Sequence, residues 1–137
     1  MLTEAHGIPL AVVVDGTNRH DMKLVEATLI ALIVPRPAPT PDKLQGLCLD
    51  KGYDYDEVRE LVASLAYTAH LLSRGEERRD IRELSYRARR WVVERAHGWM
   101  NRLRGLLVRW AKKPENYLAF VHLACGIITW RATGLLR

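Results

Sequence analysis

Hydrophobic and polar positions alternate along this chain in a strand–helix order. Leu10 to Val14 is an apolar, largely β-branched run behind the turn-prone pair His6-Gly7, and it predicts a strand ended by Asp15-Gly16. Residues Met1 to His6 offer the end of another strand. From Met22 to about Val34 the period changes: Leu24, Val25, Thr28, Leu29 and Leu32 share one face, which predicts a helix with Asp21 as its cap. The proline-rich stretch Pro35 to Pro41 cannot continue that helix and predicts an extended linker over residues 35–46. Leu47 to Leu49 reads as the next strand. Asp54, with Glu57 three residues on, has the pattern of a capping box that opens a helix to about Leu65. Thr68 to Leu72 predicts a further strand and Ser73 to Asp80 a polar loop.

The second half predicts two helices, about Arg87 to Val108 and about Asn116 to Trp130, separated by Pro114. In the first, Val92, Ala96, Trp99, Leu103, Leu106 and Trp110 recur at steps of four and three, which is one buried stripe. Core packing is therefore the expectation for Trp99 and Trp110, ahead of stacking on bases. Glu94 falls almost opposite the stripe, among Arg87, Arg90, Gly98, Asn101 and Gly105. Glycine inside a helix costs roughly 1 kcal/mol relative to alanine, so two of them on a polar face point to something that must approach closely. The plainer reading gives Glu94 weak surface ion pairs with Arg90 or Arg95. His97 lies near the same face and reads as a partly exposed helix histidine.

Composition narrows the class. The chain has 137 residues, 48% hydrophobic and 27% charged, enough for one folded domain and too apolar for disorder. Two cysteines, Cys48 and Cys125, make neither a metal spacing nor a disulfide framework, so a reducing cytoplasm is expected. The longest apolar stretch, Tyr117 to Trp130, is broken by His122 and is shorter than the roughly 20 residues of a membrane span. A soluble protein with no membrane partner is expected. The net charge is +5, but from Leu84 to Lys113 nine cations face a single acid, Glu94, leaving the rest of the chain at −3. Such asymmetry fits a polyanion partner, most often nucleic acid, or else a solvated arginine-rich surface.

Three segments carry a family resemblance. "LDKGYD" (Leu49 to Asp54), "RRWVVERAHGWMNRLRGL" (Arg89 to Leu106) and "LAFVHLACGIITWR" (Leu118 to Arg131) resemble the C-terminal half of a bacterial insertion-sequence DDE transposase. "GIPLAVVVDGTNRHD" (Gly7 to Asp21) resembles the strand and loop before it. The resemblance covers nearly the whole chain, so residues 1–137 are expected to form part of one catalytic domain. It implies an α/β fold, an RNase H-like core with C-terminal helices, in which two aspartates and a glutamate hold two Mg²⁺ or Mn²⁺ ions. Asp50 takes the position of the second aspartate and Glu94 that of the glutamate, as catalytic and metal-binding residues. Arg90 matches the arginine one turn before the glutamate. The family's tyrosine position is Arg87 here, with Tyr86 beside it, and its lysine position is Asn101, next to Arg102. With Lys51, adjacent to Asp50, these residues are the expected DNA contacts.

In the family's fold the first aspartate lies on a strand that precedes two others; only one clear strand, Leu10 to Val14, is read before the Met22 helix, so the expectation is that the first strand and its aspartate are missing from this chain. Asp15 is the nearest substitute but reads as a turn residue; His20 and Asp21 read as loop and cap. The expectation is a transposase catalytic fragment, a family that cuts and joins DNA, inactive alone. A decayed remnant, a misread frame, and the second product of an element split across two frames all fit. In the last case an upstream-frame product supplies the first aspartate. Partners implied by the resemblance are transposon ends, target DNA and a second copy in a homodimer on DNA, in the bacterial cytoplasm at the nucleoid. The competing expectation is a non-catalytic DNA-binding module derived from a transposase.

Overall fold

The structure, a computed structural model, describes residues 1–16, 18–70 and 90–134, without the side chains of Lys51 and Arg90. The expected loop Ser73–Asp80, residues Leu71 and Leu72, and the helix start Arg87–Arg89 lie outside the described residues. The fold is mixed α/β. Strands β1 (Leu2–Thr3) and β2 (Pro9–Ala11) pair antiparallel. A 3₁₀ turn, Asp21–Leu24, leads into α1 (Val25–Ile30). Strand β3 (Gly46–Cys48) is followed by a 3₁₀ turn, Lys51–Tyr53, helix α2 (Asp56–Ser64) and strand β4 (Thr68–His70). Then come α3 (Arg90–Asn101), α4 (Arg104–Leu107) and α5 (Pro114–Ala132). The described strands form two separate two-stranded sheets, where the resemblance implied one core sheet.

β3 and β4 are parallel, with Gly46 opposite Thr68, Leu47 opposite Ala69 and Cys48 opposite His70. Parallel neighbours need a crossover, and α2 supplies it. Leu47 on β3, Val58 and Val62 on α2, and Val25 and Leu29 on α1 bury against one another, with Val62 wholly inaccessible. Each such side chain contributes about 1.5–3 kcal/mol when fully buried. A second layer is made by α3, which packs on β1 and α5, while α5 also packs on β2. Val92 and Ala96 are its buried positions on α3, and Val121, Ala124 and Ile128 those on α5. The two layers meet at the β1–β2 hairpin, since Leu2 packs against the Leu47 cluster while the hairpin turn rests on α3.

That turn is built by Glu4. Its Oε1 accepts from the amides of His6 (2.7 Å) and Ile8 (3.0 Å), and its backbone carbonyl accepts from Gly7 at 3.0 Å. Burial works against the charge, but the Ile8 and His6 donors outweigh it and hold the Glu4 carboxyl below the usual range. Gly7 sits buried at φ +89°, and a Cβ there would stand 3.1 Å from the Val92 carbonyl oxygen. Arg95 reaches from α3 to donate to the His6 carbonyl at 3.3 Å, its guanidinium 4.4 Å from the Trp91 ring centre.

Several boundaries move, each for an identifiable reason. The strand expected over Leu10 to Val14 is held in ladder pairing only at Pro9–Ala11. α1 stops at Ile30, not Val34. Ile33 and Val34 are exposed, so no burial rewards another turn, and Pro35 disfavours helical geometry in the residue before it. Asp21 does not cap; the His20 imidazole accepts from the Met22 amide at 3.4 Å instead. Nor does Asp54 form a capping box, because its carboxylate accepts from Arg59 Nε at 3.0 Å and α2 starts after Tyr55 without a side-chain cap. The long helix breaks after Asn101, where Leu103 turns extended (φ −91°, ψ 102°). Pro114 is no separator: it is the first residue of α5, where its missing N–H costs nothing. Trp110, expected in the core, is 77% exposed.

The hairpin seat generates a stability prediction. Gly7→Ala adds a methyl to a backbone that L residues avoid and drives it against the Val92 carbonyl, so it should cost about 1–3 kcal/mol. Urea unfolding followed by far-ultraviolet circular dichroism measures this; an unchanged midpoint would contradict the described seat.

Candidate functional site

Asp50 stands just beyond the carboxyl end of β3, where the chain leaves the strand. The Tyr53 amide donates to its backbone carbonyl at 2.9 Å, closing the Lys51–Tyr53 turn. Ligands of open α/β sheets bind at the carboxyl ends of parallel strands, and Asp50 occupies such an end. The 3₁₀ turn Asp21–Leu24 packs against the turn that follows Asp50. Together they form an open cleft of about 600 Å³ lined by Asp50, Tyr53, Tyr55, Asp21, His20 and Arg19, among others. The His20 ring meets Tyr55 edge-on at 6.0 Å. Tyr53 reports the local field: burial, then Asp21, then Asp50 push its phenol above the usual value.

Glu94 lies in the middle of α3, exposed to solvent. Among the described residues no ion pair includes it. Arg95, the neighbour expected to pair with it, is occupied by the His6 carbonyl and by the Trp91 and Trp99 rings, the latter at 5.7 Å. Asn101 ends α3 and Arg102 follows in the break; both are exposed, and the Arg102 amide bonds back to the Trp99 carbonyl at 3.3 Å. A second cavity, about 240 Å³, is lined by Asn101, His97, Val12, Leu106, Tyr117 and Val121, among others. Partial burial and then the chain's terminal ammonium lower the His97 imidazole. Arg90 begins α3, Lys51 opens the turn after Asp50, and Arg87 lies outside the described residues.

The sequence-derived residues thus divide. Asp50 belongs to the β3–α2–β4 layer, Glu94, Asn101 and Arg102 to the α3–α5 layer, and neither cavity is lined by both carboxylates. Among the described residues no group of three His, Cys, Asp or Glu side chains comes together as a metal-holding set. Asp15 stands just before the turn closed by the Arg19 amide on the Gly16 carbonyl: its carboxylate accepts from the Gly16 amide at 2.7 Å and pairs with Arg19, which together hold it below the usual range. Sequence reasoning assigned His20 and Asp21 to loop and cap and missed the cleft they form with Asp50, Tyr53 and Tyr55. The only local trace of it was a carboxylate at each of two turn starts.

Among the described residues no helix is long and apolar enough to cross a membrane. No solved structure matches the chain. It is 29% identical over 133 residues to a Burkholderia cepacia protein named "Putative transposase for insertion sequence element IS402". That alignment takes in 95% of this chain and 61% of the relative, so the chain spans less than two thirds of the length of the protein it matches. Residues 47–131 match the family described as the transposase DDE domain. This span is more than half of the chain and contains both Asp50 and Glu94, and the chain belongs to the transposase DDE domain family.

Proposed function

We propose that this chain carries two of the three acids of a DDE transposase site, Asp50 and Glu94, and works on DNA as part of a transposase. The observation that carries the reading is that the family match spans both acids in their expected order. Two local features support it. Asp50 sits at the carboxyl end of a parallel strand, and Glu94 stands exposed on a helix whose arginine neighbour is engaged elsewhere. Lys51, Arg87, Arg90, Asn101 and Arg102 are the proposed DNA contacts, and an RNase H-like arrangement is the proposed frame.

Transposase DDE domains use divalent metal ions. The described residues do not make such a site on their own, since no three ligating side chains converge. Charge explains why a third acid matters: two divalent ions bring four positive charges, and two carboxylates offset half of them. Magnesium demands near-ideal octahedral oxygen geometry and retains water wherever protein ligands are absent. The reading therefore has the chain inactive by itself. The missing aspartate comes from an upstream segment, and the working form is a dimer on transposon DNA.

One specific observation favours the second reading, a DNA-binding module without chemistry: Arg102, Arg104, Arg109, Lys112 and Lys113 are all exposed in a stretch with no acid. The two readings differ in what the acids do. In a pure binding module Asp50 and Glu94 only repel phosphate, so Asp50→Asn and Glu94→Gln tighten DNA binding equally with and without Mg²⁺. In the proposed site the tightening disappears when Mg²⁺ is present.

Duplex binding should weaken steeply with salt, because each neutralised phosphate contributes a slope of about −0.9 in log affinity against log salt. Arg102→Ala should lower that slope by about 1. Fluorescence anisotropy at several salt concentrations checks this, and affinity independent of salt would contradict it.

For cleavage, the purified chain should not nick a labelled transposon end with Mg²⁺ or Mn²⁺, and an added upstream segment bearing the aspartate should restore nicking. Nicking by the chain alone, abolished by Asp15→Asn, would show that the site is already complete.

A further inference from the structure

We propose that Trp110, exposed in a stretch of chain that carries Arg102, Arg104, Arg109, Lys112 and Lys113, is a stacking platform for an unpaired base of a DNA strand. The inference rests on the DNA-directed reading above and adds a binding residue to it.

Helical periodicity assigns Trp110 to the buried stripe of one continuous helix. The break at Arg102–Leu103 removes it from that stripe. α4 ends at Leu107, Val108 is extended (φ −114°, ψ 110°), and the indole emerges 77% exposed. Leu107 and Val108 beside it are exposed as well, at 62% and 45%. Between Arg102 and Lys113 there are five cations, all exposed, and no acid. The Arg109 guanidinium lies 5.2 Å from the Tyr117 ring centre, which fixes one of the five against α5.

An exposed aromatic among backbone-tracking cations is the combination that binds single strands: the cations follow phosphates and the ring stacks on a base. In a duplex the base faces are already stacked on each other, so an indole on an irregular segment finds a free face only at an unpaired nucleotide. A second copy of this chain pairing through the same segment is a poor occupant, because it would bring five more cations to a stretch that has no acid. An anionic lipid surface meets the charge requirement too, but α4 has only four residues and offers no amphipathic helix to lie in an interface.

The test uses the whole chain, wild type, Trp110→Ala and Trp110→Phe, with circular dichroism to confirm folding at this exposed position. Anisotropy titrations are run on a labelled single strand, a blunt duplex and a duplex with a single-stranded tail; phosphatidylserine vesicles form a fourth arm. Trp110→Ala should weaken binding to the single strand and the tailed duplex by roughly 5- to 150-fold. It should leave the blunt duplex and the salt slope unchanged, and Trp110→Phe should retain most of the affinity. Unchanged single-strand binding in Trp110→Ala overturns the proposal, as does an equal loss on blunt duplex, or a loss confined to vesicles. In each of those cases wild-type binding to blunt duplex persists. Its absence would instead overturn the DNA-directed reading itself.

Discussion

The seat of the β1–β2 hairpin on α3 is the contact on which the arrangement depends. One layer holds Asp50 and the other holds Glu94, and the hairpin touches both. Leu2 belongs to the cluster around Leu47, while Gly7 presses against the backbone of α3 near Val92. A residue without a Cβ is required there on two independent grounds, a positive φ and a 3.1 Å approach to a carbonyl oxygen. Glu4 fixes the turn from within, and Arg95 ties it to the helix from outside. The hairpin that touches both layers contains neither of the two proposed catalytic acids.

Within the first layer, the parallel pairing of β3 with β4 does the positioning. A parallel pair forces a crossover, the crossover helix buries Val58 and Val62, and the strand between them and α1 must end where the layer ends. Asp50 emerges at that point with Tyr53 folded back beside it. The cleft gathers Asp21 as well, and burial, then Asp21 and Asp50, raise the Tyr53 phenol beside it. Among described residues three ligating groups never converge.

Much of this was legible in the sequence, for physical reasons that differ by element. The short apolar runs at Leu47 and Thr68 suit strands, and strands formed at both, the first shifted one residue back to Gly46–Cys48 and the second described over Thr68–His70. Helix starts were blurred because the expected caps found better partners: Arg59 took Asp54, and His20 displaced Asp21. The break in the long helix was invisible to periodicity, since Trp99 before it and Leu106 after it stay half-buried and keep the stripe alive. Trp110 is where that stripe failed, because α4 ends at Leu107, Val108 is extended and the indole emerges into solvent. The cleft beside Asp50 could not be read at all: His20 and Tyr55 are far apart in sequence, and only the packing of one 3₁₀ turn on another brings them together. Asp50 and Glu94 themselves stood out by resemblance, with their places at a strand end and on a polar helix face as supporting signals.

Asp50 and Glu94, on different layers, are proposed to serve one metal site. Paramagnetic broadening by Mn²⁺ in amide nuclear magnetic resonance spectra, with a transposon end bound, reads this out at both acids at once. The amides around Asp50 and Glu94 should broaden together over the same range of Mn²⁺, and Asp50→Asn should abolish both effects. Broadening around one acid alone, or at Glu94 undiminished in Asp50→Asn, would contradict it.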